Sequence, residues 1–272
     1  MKPNGAERVS VDGWATSKPT WVDAVLGLSI ASIMCAFLLQ GVMAALWAIP
    51  VLFAFFLLAQ ALLKPAVNHL ILFGLFWMMV PGLFSFGREW PICFLGPLAA
   101  YGAWILFFPS LRRSAVWFRL GRLKGGDIPA VIAVSVVSAI ALVVWILAAD
   151  PDLGDLKGMM PDLAIWLLPL AGLGFALLNA AMEEAVFRGL LMDALDRTVG
   201  RNLFSNVVQA AVFGAAHYHA GFPRGAWGFA MVFVYGLMLG AIRRRCNGLL
   251  APWVAHVAAD LVIFVIMVVV AS

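Results

Sequence analysis

The sequence predicts an all-α, polytopic transmembrane helical bundle of eight or nine spans. Three observations lead there. The 272 residues are 64% hydrophobic and only 12% charged, whereas a soluble domain carries about 25% charged residues, so the chain has too little polar surface to cover itself in water. Apolar runs near the roughly 20 residues needed to cross a hydrocarbon core recur along its length. Basic clusters stand between those runs, as membrane topology signals do.

Residues 1–20 form a polar, loop-like segment rich in Gly, Ser, Pro and Asp. It lacks a charged start followed directly by an apolar core, so it does not read as a cleaved signal peptide. The candidate spans are 22–42, 44–63, 66–86, 92–110, 128–149, 163–182, 203–218, 227–242 and 250–271. The choice between eight and nine rests on 22–63, where only a short uncharged stretch separates two runs. Residues 21–160 are read as N-terminal transmembrane helices and 161–272 as a catalytic core. The stretch Asp162 to Asp196 is too long for one simple span, and its last two turns are expected to project past the hydrocarbon.

Charge sets the orientation. The loop from Ser110 to Asp127 holds Arg112, Arg113, Arg119, Arg122 and Lys124, and Arg243–Arg245 form a second basic cluster. Both are expected in the cytoplasm. The acidic loop Asp150–Asp162 then falls on the other side, while the Arg197–Arg201 turn falls inside, as does the N-terminus if 22–42 and 44–63 are two separate spans. The net charge of +4 shows no nucleic-acid patch. Cys35, Cys93 and Cys246 are far apart, odd in number and without CxxC spacing, so they give neither a disulfide framework nor a metal knuckle. The expected setting is a multi-pass protein of a bacterial cell membrane, with the bilayer itself as one partner and no nucleic acid.

Ionisable residues inside spans are functional hypotheses by default. The first five runs hold almost none. The last four hold Glu183, Glu184, Arg188, His217, His256 and Asp260. That crowding predicts one shared site, in a cavity formed by the C-terminal four helices. Glu184 and Arg188 are four apart with the acid first, the favourable order for an ion pair on a helix. At 3.6 residues per turn Glu183 is rotated about 100° away from them. Phe213 and His217 share a face in the same way, as do His256 and Asp260. Glu183 lies 17 residues before Gly200 and His217 lies 17 after it, so an antiparallel hairpin sets them level. Counting His256 from the Arg243–Arg245 cluster puts the site in the cytoplasmic half. Carboxylates and imidazoles gathered in a membrane cavity suit water activation. A glutamate can take a proton from water, and histidines can orient the water, donate to an oxyanion or bind a metal.

The motifs behind these residues are EEAVFR, FGAAH and HVAAD, which fit E-E-x-x-x-R, F-x-x-x-H and H-x-x-x-N/D in that order on separate helices. From about Gly172 to Ile266 the chain resembles the CPBP family of intramembrane proteases, which contains the type II CAAX prenyl endopeptidases. The resemblance implies an endopeptidase with Glu183 as general base and His217 holding the nucleophilic water. It implies that Glu184 and Arg188, with Phe213, support the site, and that His256 and position 260 stabilise the oxyanion. Position 260 is often Asn in the family and is Asp260 here. An ionised Asp cannot donate, so Asp260 must either be protonated or orient His256.

Zinc is the candidate cofactor, with Glu183, His217 and His256 as ligands and water in the fourth position. The H-E-x-x-H pattern is absent, and a metal-free, glutamate-activated water is the preferred scheme. The expected partner is a peptide or protein with a membrane-associated tail: a prenylated or membrane-anchored C-terminus, or a peptide precursor. The rival function is a protease-like scaffold or a proton-coupled transporter, the latter disfavoured because no matched repeats are seen. His219 is expected to be a loop or interface residue and His69 an interfacial one.

Overall fold

The computed structural model describes residues 19–62, 64–151, 153 and 163–271. Residues 1–18 of the polar N-terminal segment and most of the acidic loop lie outside the described residues. No strand occurs among those described. Six helices are long and apolar enough to cross a membrane, and two shorter apolar helices cover 67–83 and 92–107.

The run 22–63 resolves into two helices. α1 (Trp21–Gln40) opens on a capping box between Thr20 and Asp23, which satisfies donors at its first turn. It stops at Gly41, whose φ of +67° only glycine adopts without strain and whose N–H bonds Phe37 O at 2.7 Å. α2 (Val42–Ala61) runs back, and Lys64 beyond its end meets Asp23 at the start of α1 at 2.8 Å. α3 (Pro65–Leu83) and α4 (Ile92–Phe107) follow. A short α5 (Pro109–Ser114) leads into the basic loop and α6 (Ile128–Ala149). That loop pairs with the turn at 246–250 through Arg122 N to Cys246 O and Leu249 N to Arg119 O, both 2.9 Å.

α7 (Leu168–Glu183) continues as a π-helical stretch, Glu184–Leu191, and then α8 (Met192–Thr198). Together with a leading turn they form an unbroken 34-residue run from Ile165 to Thr198. Its last turns carry Asp193, Asp196 and Arg197. α9 (Leu203–His219) is capped by Asn202, whose side chain accepts from Ser205 N. It packs closely on α10 (Gly225–Cys246), because a Cβ at Gly236 would press on Ala210 and one at Gly240 would collide with Asn206. Small residues let membrane helices approach in this way. α11 (Leu250–Ala271) closes the fold.

The bundle has two unlike ends. At one, Asp193 and Asp196 gather arginines: Arg197 at 2.8 Å, Arg244 at 2.6 Å, and Arg243 at 3.3 Å from Asp196 and 3.7 Å from Asp193. Arg119 stands 3.6 Å from Asp193, and Arg245 pairs with Asp127 at 2.6 Å. The start of α1 belongs to this end, since a Cβ at Gly27 would run into Thr198. At the other end lie the loops 84–91 and 220–224, with His219 Nε2 bonded to Leu39 O at 3.0 Å. His69 is buried within the protein. Its Nδ1 lies 2.8 Å from the Tyr101 hydroxyl and its Nε2 3.0 Å from Ser114 Oγ, and Trp117 Nε1 donates to Tyr101. A polar ring in this packed layer needs such partners. His219, the last residue of α9, is exposed.

Candidate active site

Glu183 is the last α-helical residue of α7 and Glu184 the first of the π-helical stretch. Stretches of i→i+5 bonding are rare and often mark functional positions. The consequence here is geometric. Both glutamates reach the same imidazole, His256, from different sides: Glu184 Oε1 lies 2.8 Å from Nδ1, and Glu183 Oε2 lies 3.5 Å from Nε2. Glu184 Oε1 is also 3.0 Å from Arg188 Nη1. The expected ion pair is therefore present, but Glu184 does more than neutralise Arg188. It also fixes the ring orientation of His256.

Arg188 is fully buried, and its guanidinium sits 4.1 Å above the Phe213 ring, a cation–π contact that gains strength where water is excluded. Phe213 also stands edge-on to His217 at 5.1 Å and to His256 at 6.0 Å. The aromatic ring thus braces the three other groups. Tyr235 adds a further edge contact to His256 at 5.5 Å and donates its hydroxyl to Ala255 O.

His217 Nδ1 lies 3.2 Å from Phe213 O, one turn earlier on α9. That hydrogen bond assigns the proton to Nδ1 and leaves Nε2 as an acceptor. Gly221, at φ +78°, packs on this ring: a Cβ there would lie 2.6 Å from Cδ2 and 2.9 Å from Nε2.

Asn179 was not singled out by sequence reasoning. It stands one turn before Glu183, and its amide nitrogen lies 3.3 Å from Glu183 Oε1 and 3.2 Å from Asp260 Oδ2. Its carbonyl oxygen accepts from Trp90 Nε1 at 3.0 Å. The indole thereby settles which way the amide points, so both carboxylates face the NH₂ group. The i−4 spacing from Glu183 was the only signal in the sequence. Asp260 Oδ1 is 3.7 Å from His256 Nε2. Glu184 is thus the nearer of these two carboxylates to the His256 ring.

Glu183, His217, His256 and Asp260 line one cavity of about 1440 Å³, together with Asn179 and Trp90. Two expectations need correction. The wall is not made by the last four helices alone, because Trp77 of α3, Cys93 and Phe94 of α4, and Leu142 of α6 also line it. These are apolar or neutral residues, and polarity was the only mark the sequence offered. Nor does the cavity lie in the half of the bundle that carries the basic clusters. No residue from 184 to 212 or from 239 to 255 lines it. That half is filled by buried side chains, among them Leu191, Leu195, Asn206, Gln209 and Leu239. The cavity extends instead to the loops 84–91 and 220–224 at the opposite end. Counting residues along α11 measured the depth of His256 but could not show on which side of it the space opens. Glu184 precedes Asp193 by nine residues, so the carboxylates stand at most about 14 Å along the helix from the ion-paired end.

Among the described residues, no group of three or more His, Cys, Asp or Glu is arranged to hold a metal ion. His256 Nδ1 is engaged by Glu184 and His217 Nδ1 by Phe213 O. No step below is routed through a metal.

Neither the curated proteins nor the solved structures contain a match to this chain. A family model does match. Residues 164–262 fit the type II CAAX prenyl endopeptidase Rce1-like family, a segment that runs from the start of α7 into α11 and holds all three motifs. The matched segment holds the helices that carry Glu183, His217 and His256, so this part of the chain is similar to an Rce1-like domain, and the six long apolar helices fit an integral, multi-pass membrane protein.

Proposed function

We propose that this protein is an intramembrane endopeptidase that hydrolyses a peptide bond with water activated by Glu183. One observation carries the reading. Glu183 Oε1 is held by Asn179, while Oε2 is buried, has no hydrogen-bond partner among the described residues, and faces His256 Nε2 across 3.5 Å. A buried acceptor without a partner is costly, and here it lies on the wall of the cavity that would admit substrate.

In this scheme Oε2 takes a proton as a water oxygen attacks the scissile carbonyl carbon. His217 Nε2 accepts from the same water and holds it in place. The resulting oxyanion is met by His256 and by position 260, donors set where negative charge develops. Donation by His256 Nε2 requires the ring to carry both protons, since Nδ1 already serves Glu184. Donation from position 260 requires Asp260 as the neutral acid. Collapse of the intermediate breaks the C–N bond, and the proton on Glu183 passes to the leaving amine. The apolar walls of the cavity suit a peptide or protein whose cleavage site adjoins a membrane-associated segment. Glu184, Arg188, Phe213 and Asn179 position these groups and do not touch the reacting atoms.

The test is to replace Glu183 by Gln in the native host and compare membrane-associated peptides. Accumulation of specific uncut precursors supports the peptidase. An unchanged peptide profile, with the variant folded and inserted, points to a scaffold or transporter.

A further inference from the structure

The two ends of the bundle differ in charge. Among the described residues, every Lys and Arg other than Arg88, Arg188 and Arg224 lies at the end tied together by Asp193, Asp196, Asp23 and Asp127, or in the basic loop joined to it. Arg188 is buried at the site, and Arg88 and Arg224 border the cavity at the far end. Lysine and arginine in short loops set orientation, and the enriched side faces the cytoplasm. The bias holds across four separate segments, namely Lys64, the Arg112–Lys124 stretch, the Arg197–Arg201 turn and Arg243–Arg245.

The cavity belongs entirely to the other half. Its mouth is formed where α3, α9 and α1 end and where α4 and α10 begin, at Gly41, Glu89, Trp90, Cys93, Gly221 and Arg224. Below the catalytic groups the cytoplasmic half is sealed. Phe187, Leu191, Leu195, Gln209 and Leu239 are each at most 1% exposed, and Arg243 is held by Asp193 and Asp196. A peptide from the cytoplasm would have to displace this packed and ion-paired layer, while a peptide from the opposite face meets an open, largely apolar space ending at Glu183.

We propose that the active site is loaded from the non-cytoplasmic face of the membrane. Its substrate is then an apolar segment presented there, at the membrane junction of an exported or membrane-anchored protein, and not a tail in the cytosol. This inference rests on the peptidase reading above, but its test does not need proteolysis. Cys93 lines the cavity, whereas Cys246 is buried at the basic end. The probe is a membrane-impermeant sulfonated maleimide, applied to right-side-out and inverted membrane vesicles. Three single-cysteine proteins are compared: native Cys93 in a Cys35→Ser, Cys246→Ala background, and Phe86→Cys and Leu123→Cys in the cysteine-free protein. Phe86 and Leu123 are exposed in the cavity-end loop and the basic loop respectively.

We expect Phe86→Cys and Cys93 to be modified in right-side-out vesicles and spared in inverted ones, with Leu123→Cys showing the reverse. Labelling of Phe86→Cys only in inverted vesicles overturns the orientation. Absence of Cys93 labelling from the side that labels Phe86→Cys overturns the open path. If instead Glu183 is not the catalytic base, the labelling pattern stands while the loss of cleavage in Glu183→Gln does not appear, so the two failures are distinct.

Discussion

Removal of the Glu184 carboxylate is expected to be the most damaging single change for stability at this site. Its Oε1 serves two partners at once, Arg188 Nη1 at 3.0 Å and His256 Nδ1 at 2.8 Å. Glu184→Ala leaves a fully buried guanidinium with only the Phe213 face for compensation. Stripping one partner from a buried pair costs about 3–5 kcal/mol, and orphaning the imidazole N–H adds about 1–3 kcal/mol. The Phe213 contact exists before and after the change, so it offsets nothing. A loss of roughly 4 kcal/mol or more follows, near 8–16 °C in the unfolding midpoint at about 2–4 °C per kcal/mol. Arg188→Met should cost less, because the methionine fills the space and Glu184 keeps His256. The double variant should cost less than the sum, since replacing a buried pair by apolar groups is often nearly neutral, and coupling between touching groups runs to about 0.5–3 kcal/mol. Reversible unfolding of the four proteins in mixed micelles measures all three quantities. Strictly additive losses, or a larger loss for Arg188→Met than for Glu184→Ala, would refute the shared-oxygen arrangement.

Asn179→Leu keeps the bulk but removes the donor to both carboxylates; cleavage should drop about tenfold or more through kcat, the scale of misplaced catalytic groups, and Trp90→Phe should show a weaker version of the same defect. A loss confined to KM in either variant would argue against positioning. Gly221→Ala and Gly225→Ala each force a residue with a Cβ to positive φ, at +78° and +70°, a backbone cost of about 1–2 kcal/mol. Only the Gly221 Cβ meets His217, as nothing lies within 4 Å of one at Gly225. Activity should therefore fall in Gly221→Ala and persist in Gly225→Ala, and equal effects on cleavage would remove His217 from the explanation. Asp260→Asn should retain cleavage, because the amide donates without needing a proton and can still accept from Asn179. An inactive but folded Asn variant would show that the negative charge is required.

The fold class was legible because a bilayer leaves few options: spans must be helical and apolar, and 64% hydrophobic content with basic punctuation says as much. The motif residues were legible for the same reason, since Glu183, Glu184, Arg188, His217, His256 and Asp260 are costly where they stand. What the sequence hid was neutral or irregular. Asn179 and Trp90 carry no charge, and their contact joins positions 89 residues apart. The π-helical stretch has no signature in a 3.6-residue pattern, and so the reach of both glutamates to one imidazole was not foreseen. α9 is only 17 residues long, which keeps a count of spans from following from length alone. The cavity wall in α1, α3, α4 and α6 is largely apolar, like a lipid-facing surface, and only packing distinguishes the two.

The central claim is that Glu183 activates the water that cuts the peptide. Steady-state cleavage of one peptide substrate by the purified parent and by Glu183→Gln tests it most directly. The amide keeps the shape and the bond from Asn179 but cannot accept the proton. The account predicts that kcat/KM falls by about 100-fold or more, the range of general-base effects, with the unfolding midpoint retained. Near-normal cleavage by a folded Glu183→Gln protein would contradict it.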